Sequence, residues 1–528
     1  MWNKGWREQA WSALDQRWDL IVVGGGITGA GVLRHAVAAG LKTLLVEAGD
    51  FSFGTSSRSS KLIHGGLRYI LNKQFKVTRE SVRERERLMK EAPYGVTKLG
   101  FLFANYDRYH AGNGMIGSVI ALYDLLAPKW DHSRYSVEKI GQEWPFLDKQ
   151  GLKGGYLYYD AAMDDSRIVL RVIREAVQAG GTALNYVRAE SLLRDNRGQV
   201  CGVALRDLAS PSGRTAEIRG GAVVNAAGPW SDGLRAQVGR QPRLRKLRGS
   251  HLVLPHEKLP VRAALTLLHP RDKRAMFVIP WEGTTIVGTT DIDHDPALEG
   301  RYSEPFATRE EIDYVMEILE LLFPGLGLKV SDLISTFSGL RPIVRGDAAS
   351  PSGESRAHAL WDEDGLITIT GGKYTTFRIM SKQTVGKVLS RLGRPPEISL
   401  KHIINPLPVI DQHDLDIATL HYLMGRYGGE TAALIAAAGE GEMGHIAHLP
   451  NVWAELRWAA RAEGVVHLDD LLLRRVRIGM LLPDGALDLL DRIRLLAQPE
   501  LGWDDARWLQ EVELYRDIWK KYYSPDPG

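Results

Sequence analysis

The 528-residue sequence predicts an α/β fold of mixed sheets closed by a helical domain. Three observations carry that prediction. An apolar run, Leu20 to Val23, feeds straight into Gly24, Gly25, Gly26 and Gly29 and then into a helical pattern from Ala30 to Ala39. From His251 to Asp293 the pattern turns β-rich, with period-two alternation through HLVLP, AALTLL, AMFVIPW and TTIVGTTD. Residues 411 to 522 are almost wholly helical in pattern.

Bulk composition bounds the function. Apolar content of 44% with 25% charged residues is that of a soluble globular protein. A net charge of +3 on this length gives no case for nucleic acid. The one cysteine, Cys201, excludes an internal disulfide and offers no metal framework; its run QVCGVAL reads as a strand that buries it. That usage fits a reducing, cytoplasmic compartment. No apolar stretch reaches the roughly 18 residues of a membrane span, and the acid-bearing N-terminus lacks a signal core. Trp2, Trp6, Trp11 and Trp18 read first as docking that end on the body, with contact to a lipid interface as the alternative.

Taken in order, the first strand and glycine turn lead to a second apolar run, Thr43 to Val46, which ends at Glu47. Gly24, Gly26 and Gly29 with an acid about twenty residues on form a dinucleotide fingerprint: tight turn, close approach to a pyrophosphate, ribose hydroxyl on the carboxylate. The turn alone leaves NAD and FAD undecided. The segment GDFSFGTSSRSSKLIHGGLRYI is rich in hydroxyls and amides able to line a cofactor, and it supplies His64, Arg68 and Tyr69. Phe75 to Glu91 reads as a charged amphipathic helix. Residues 114–130, GMIGSVIALYDLLAPKW, carry a broad apolar face ending in Lys129 and Trp130. They read either as a core helix or as a membrane-interface helix.

Asp164 or Ser166 is expected to cap the helix that follows rather than to bind metal. AVVNAAGPWSD is a second strand end, and Ala227 and Gly228 can pass beneath a bound nucleotide. Thr308 and Glu311 form a capping-box pattern. SGLRP presents Arg341, and Arg356 follows a polar loop. In GLITITGGKYTTFR a buried strand meets a double glycine and a helix start, so Gly372, Lys373, Tyr374 and Thr375 make a second anion-favouring end. Two such ends and the hydroxyl-rich segment imply a long, permanently held cofactor, FAD, and no metal. The expected domains are an N-terminal extension (1–17), a discontinuous FAD domain (18–74, 156–245, 340–395), a substrate domain (75–155, 246–339) and a C-terminal helical domain (405–528).

The glycine turn, TSSRSSKLIHGGLRY, VVNAAGPWSD, FVIPWEGTTIVGTTD, SGLRP and TGGKYTTFR occur together and in this order. Together they resemble the FAD-dependent glycerol-3-phosphate dehydrogenase family of bacterial type, which includes related oxidases. The resemblance covers residues 18 to 395 and extends more weakly to Ala454–Met480. It implies an FAD-binding Rossmann-like domain of the glutathione-reductase/D-amino-acid-oxidase type, an interleaved antiparallel substrate sheet and the helical domain. It implies that Gly24, Gly26, Gly29, Glu47, Thr55, Ser56, Ser57, Ser59 and Ser60 hold the flavin cofactor, with Gly372 to Thr375 near the pyrimidine end of its ring. It further implies oxidation of sn-glycerol 3-phosphate to dihydroxyacetone phosphate. Electrons then pass to ubiquinone or menaquinone, from a protein peripheral on the inner face of the cell membrane; a homodimer is compatible with this. The alternatives are an oxidase that reduces O2 to H2O2, and an amine or amino-acid oxidase of the same fold.

Oxidising a secondary alcohol needs a phosphate anchor, a base and a dry pocket. Arginine forks bind phosphate oxygens bidentately, which selects Arg341 and Arg356, with Arg274 as a third. For the base, His64 competes with Lys373, whose pKa a cationic neighbourhood would depress. Arg68 and Tyr69 would orient the hydroxyl or stabilise an alkoxide.

Overall fold

The computed structural model describes residues 2–66, 70, 75–109, 113–126, 131–210, 212–298, 304–346, 357–410 and 415–526. Among these, two sheets dominate. The first holds β1 (Trp18–Val23), β2 (Thr43–Val46), β7 (Thr182–Leu184), β8 (Val187–Arg194), β9 (Val200–Asp207), β10 (Thr215–Asn225), β17 (His358–Glu363) and β18 (Leu366–Gly371). Its spatial order is β17-β18-β10-β1-β2-β7, and the pairs from β18 to β7 are all parallel. Parallel strands are covered on both faces, which is why β1 and β2 read as unbroken apolar runs.

The second sheet holds β3 (Leu62–Ile63), β4 (Val96–Tyr106), β5 (Ser133–Tyr135), β6 (Leu152–Met163), β11 (Leu244–Pro255), β12 (Ala264–Leu268), β13 (Ala275–Trp281), β14 (Thr284–Gly288), β15 (Ile292–Asp293) and β16 (Ser335–Val344). Its pairs are antiparallel except β4 with β12. Domain edges therefore fall away from the expected residues. β6 pairs along most of its length with β4, so this sheet runs to Met163 rather than stopping at 155. β16 pairs with β11 from Leu244↔Val344 to Val253↔Ser335 and is not divided at 340.

Helix α1 (Trp6–Ser12) lies in the N-terminal extension. Helix α2 (Ile27–Ala38) follows β1, α3 (Phe75–Glu91) and α4 (Asn113–Leu126) belong with the second sheet, and α5 (Asp165–Gln178) follows β6. Asp164 caps α5 by accepting from the Ser166 and Arg167 amides. Helix α6 (Arg309–Leu322) starts at Thr308, whose amide donates to Glu311. Helix α7 (Phe377–Arg391) follows β18 and packs on α2, where Gly31 faces Ser381 and Phe377.

The C-terminal region contains α8 (Ile417–Tyr427), α9 (Trp453–Ala462), α10 (Leu490–Leu501) and α11 (Asp505–Tyr522). Its core takes in Trp281, Ile286 and Phe337 of the second sheet, so the domain is seated against that sheet. Buried arginines tie it to the first: Arg474 and Arg475 to Asp50, Arg167 to Glu463, Arg426 to Asp164. The N-terminal tryptophans dock, with Trp2 5% and Trp18 2% exposed. Cys201 is only half-buried, because β8 and β9 project as an arm with one face open; it accepts a contact from Arg219.

Candidate active site

Steric closeness defines the nucleotide cradle. Gly24 has φ +116°, and a Cβ there would sit 2.4 Å from the Ala226 carbonyl oxygen. A Cβ on Gly29 would sit 1.8 Å from the Gly24 oxygen. No other residue type fits either position. Glu47 Oε2 accepts from the Gly25 amide at 2.6 Å and Oε1 from the Gly49 amide at 2.8 Å. Burial raises its pKa, with those amides pulling the other way. The Ile27 amide, at the start of α2, donates to Ser56 Oγ at 2.9 Å.

The remaining hydroxyls fix the loop rather than face outward. Thr55 donates to the Leu340 carbonyl, Ser59 to Asp165 at 2.7 Å, and Ser60 Oγ meets His251 Nε2 at 2.8 Å. The Ser57 carbonyl accepts from Lys61 at 2.6 Å and from Arg477 at 3.0 Å. What this segment offers a cofactor is thus a rigid backbone, held from below by Asp165, Lys61 and Arg477.

Ala227 and Gly228 close the far side. Gly228 has φ +54° and no protein atom within 4 Å of its would-be Cβ, so the chain there opens onto space. Gly371 and Gly372, at φ +73° and +72°, turn the chain from β18 into the single turn Tyr374–Thr376 before α7. Tyr374 donates to the Asp165 carbonyl at 2.6 Å, and Thr375 Oγ1 to the His64 carbonyl at 3.3 Å. A cradle with a close-approach turn, a carboxylate at the end of β2 and an open glycine ledge fits FAD.

The substrate end lies on one row of the second sheet. Phe277 pairs with Gly288, Gly288 with His251, and His251 with Phe337. The His251 ring stacks on Phe337 at 4.6 Å, and only glycine at 288 leaves room for it. Its Nδ1 is buried, with no hydrogen-bond partner among the described residues. Burial, then the charges of Arg341 and Lys61, push this imidazole well below 6.5, so it is neutral. His64 lies against Phe277 at 6.4 Å, and Phe277 is itself two strands, about 10 Å, from His251 along the row. Burial and then Lys373 lower His64 to about 4. Lys373 Nζ donates to Ser81 Oγ at 2.7 Å and the Gly65 carbonyl at 3.3 Å.

Arg341 crosses Gly249, where a Cβ would lie 2.4 Å from its guanidinium. It bonds Thr289 Oγ1 at 3.1 Å, the Thr290 carbonyl at 3.2 Å and Asp291 at 3.1 Å. Arg274 binds the other oxygen of Asp291 at 3.2 Å, so the structure joins two of the expected anchors through one buried acid. Glu311 supports this wall from behind, accepting from Ser250, Thr290 and Arg248. Arg68, Tyr69 and Arg356 lie outside the described residues. Sequence reasoning missed His251 and Asp291. The signal within reach was the placement of HLVLP and GTTD beside SGLRP in one sheet.

Comparisons with known proteins identify the family. The family model described as FAD dependent oxidoreductase matches residues 19–378, and that of the C-terminal domain of alpha-glycerophosphate oxidase matches residues 369–508. Glycerol-3-phosphate dehydrogenase 2 of Mycobacterium tuberculosis is 34% identical, over 96% of this chain and 89% of its own. The Synechocystis glycerol-3-phosphate dehydrogenase is 33% identical, over 96% and 97%. The X-ray structure of the Bacillus halodurans glycerol-3-phosphate dehydrogenase, complexed with FAD, superposes with TM-score 0.80 at 28% identity, covering 100% of this chain and 99% of that one.

Proposed function

The chain belongs to the FAD-dependent glycerol-3-phosphate dehydrogenase family, and on that premise we propose that it oxidises sn-glycerol 3-phosphate to dihydroxyacetone phosphate. FAD is the cofactor, and when bound it supplies the acceptor for the hydride leaving C2. The observation that carries the reading is the placement of Arg341 and His251 on adjacent strands, next to the loop that Ser60 ties to His251.

Arg341 is the most solvent-reachable of the wall's arginines, its side chain 27% exposed against 13% for Arg274 and 3% for Arg248. Asp291 and Thr289 fix the plane of its guanidinium, so its fork is oriented before a phosphate arrives. Because His251 Nδ1 is buried, the proton reaches this imidazole at Nε2: half-buried Ser60 Oγ, 2.8 Å away, takes the hydroxyl proton as it donates its own to that nitrogen. The charge of Arg341 is one cause of that imidazole's low pKa. A phosphate dianion on Arg341 offsets the charge, so substrate binding makes His251 a stronger base. Lys373, beside the start of α7, stabilises the negative charge that builds as the proton leaves. His64 acts as the opposite wall, neutral and fixed by Thr375. Arg68, Tyr69 and Arg356 keep their roles in this reading on motif grounds.

We place the electron exit at a membrane quinone, ubiquinone or menaquinone, with the protein peripheral on the cytoplasmic face. Support comes from α4, whose Ile116, Ile120 and Tyr123 are buried while Leu125 is 72% exposed, and from Phe75 at 44% on neighbouring α3. Among the described residues no helix is long and apolar enough to cross a membrane. Anaerobic titration with glycerol 3-phosphate, followed at the flavin absorbance, should bleach the protein. A ubiquinone analogue should then reoxidise it faster than O2 does; the reverse order would favour the oxidase. A flavin that glycerol 3-phosphate leaves oxidised would refute the substrate assignment.

A further inference from the structure

Segments from both ends of the chain meet on one loop, residues 49–53, directly behind the glycine turn. The Ser52 amide donates to the Gly25 carbonyl at 3.0 Å. A Cβ on Gly25 would lie 2.9 Å from Phe51 Cδ1, so the fully buried Phe51 ring bears on the turn itself. Trp2 stacks on the Phe51 ring, centroids 4.9 Å apart and planes 17° apart. Trp2 is in turn bridged to Glu463 and lies against Gly464 and the Arg174 guanidinium, elements of α5 and the C-terminal domain. Next to Phe51, Asp50 receives Arg475 at 2.5 and 2.7 Å and Arg474 at 2.7 Å. Asn185 joins the two sides, donating to Asp50 at 3.0 Å and to the Gly464 carbonyl at 2.9 Å. Arg7 of α1 anchors there too, through the Asn185 carbonyl at 2.8 Å.

We propose that Trp2, Phe51 and Asp50 are positioning residues for FAD. The N-terminal segment and the C-terminal domain together press loop 49–53 against the glycine turn, fixing the direction of the amides that receive the pyrophosphate. A glycine-rich turn has unusual backbone freedom, and freezing it beforehand removes an entropic cost from cofactor binding. Trp2 supplies the flat apolar backing, and the Asp50 carboxylate supplies the tie to the far domain. The inference rests on FAD being the cofactor and is independent of the substrate.

The test titrates apo-protein with FAD, read by flavin fluorescence, and records the thermal midpoint of each apo form. Trp2→Ala should raise the FAD Kd about tenfold, and Trp2→Phe should restore most of it. KM for glycerol 3-phosphate at saturating FAD should not move. Gln9→Ala, at an exposed position of α1, should match the parent. Ile218→Ala, a core truncation in the β9–β10 arm, should lower the midpoint and leave the Kd alone. A parental Kd in Trp2→Ala overturns the inference, and so does an equal weakening in Ile218→Ala, which would make the effect one of general stability. A parent that takes up no FAD overturns the cofactor assignment, and this inference with it.

Discussion

The nucleotide cradle comes largely from one continuous stretch, residues 19–60, whereas the substrate wall is gathered from β11, β14, β16 and the loops beside them. The first is shaped by backbone sterics: Gly24, Gly25 and Gly29 sit where side chains would collide with main chain or with Phe51. The second is shaped by side chains held in register, His251 and Arg341 beside glycines at 288 and 249 that make room for them. Damage should therefore differ in kind. At the turn it should cost the cofactor; on the wall it should cost chemistry while the flavin stays bound.

The largest effect should come from the turn. Gly29→Ala places a methyl 1.8 Å from the Gly24 carbonyl oxygen, and the purified protein should be colourless, with no flavin released on denaturation. A yellow Gly29→Ala protein would break the contrast between the two ends. On the wall, His251→Asn should keep full flavin content and slow anaerobic flavin reduction by about a hundredfold or more, the scale of a lost general base. The parent rate should fall as pH drops and His251 becomes protonated, and the Asn variant should lose that limb. An unchanged rate in His251→Asn would return the base to His64 or Lys373.

Arg274→Ala should have a smaller effect, raising KM about tenfold with little change in kcat, as expected for an anchor that acts partly through Asp291. A change in kcat alone would remove Arg274 from phosphate binding.

A pH effect sharpens the comparison from the cradle side. Burial would raise the pKa of Asp50, but Arg475 and Arg474 hold it at about 2, below the ordinary carboxylate value near 4. A depressed carboxylate stabilises the fold fully above its unfolded pKa and loses that contribution as pH falls through the folded one. Flavin release should therefore show a component between about pH 4 and pH 2, and Asp50→Asn should lack it.

How legible each end was in the sequence follows the same division. Gly24, Gly26, Gly29 and Glu47 share one βαβ unit, so their spacing alone states their relation. The caps at Asp164 and Thr308 are equally local. Arg341 was readable because Gly339, Leu340 and Pro342 mark its strand. His251 carries no such mark: a histidine opening an apolar strand looks like any core histidine until register sets it opposite Phe337. Asp291 likewise gains meaning only when Arg341 and Arg274 reach it from other strands.

The charge run at Arg474, Arg475 and Arg477 would ordinarily read as a solvated face, yet all three are at most 1% exposed. Arg474 finds Asp50 across 424 residues of sequence, a distance at which no local pattern speaks. The hydroxyl segment was located, but the direction of its hydroxyls was not. Thr55, Ser59 and Ser60 turn inward because Leu340, Asp165 and His251 meet them there.

The central claim is that Arg341 anchors glycerol 3-phosphate on a wall distinct from the FAD cradle. Anaerobic stopped-flow reduction of parent and Arg341→Ala, matched for bound flavin, tests it most directly. Flavin content should be equal, and the second-order rate of bleaching should fall roughly a hundredfold to a thousandfold in the variant, the scale of removing one charged partner of a phosphate. Bleaching of the variant at the parent's rate, with flavin equally occupied, would contradict it.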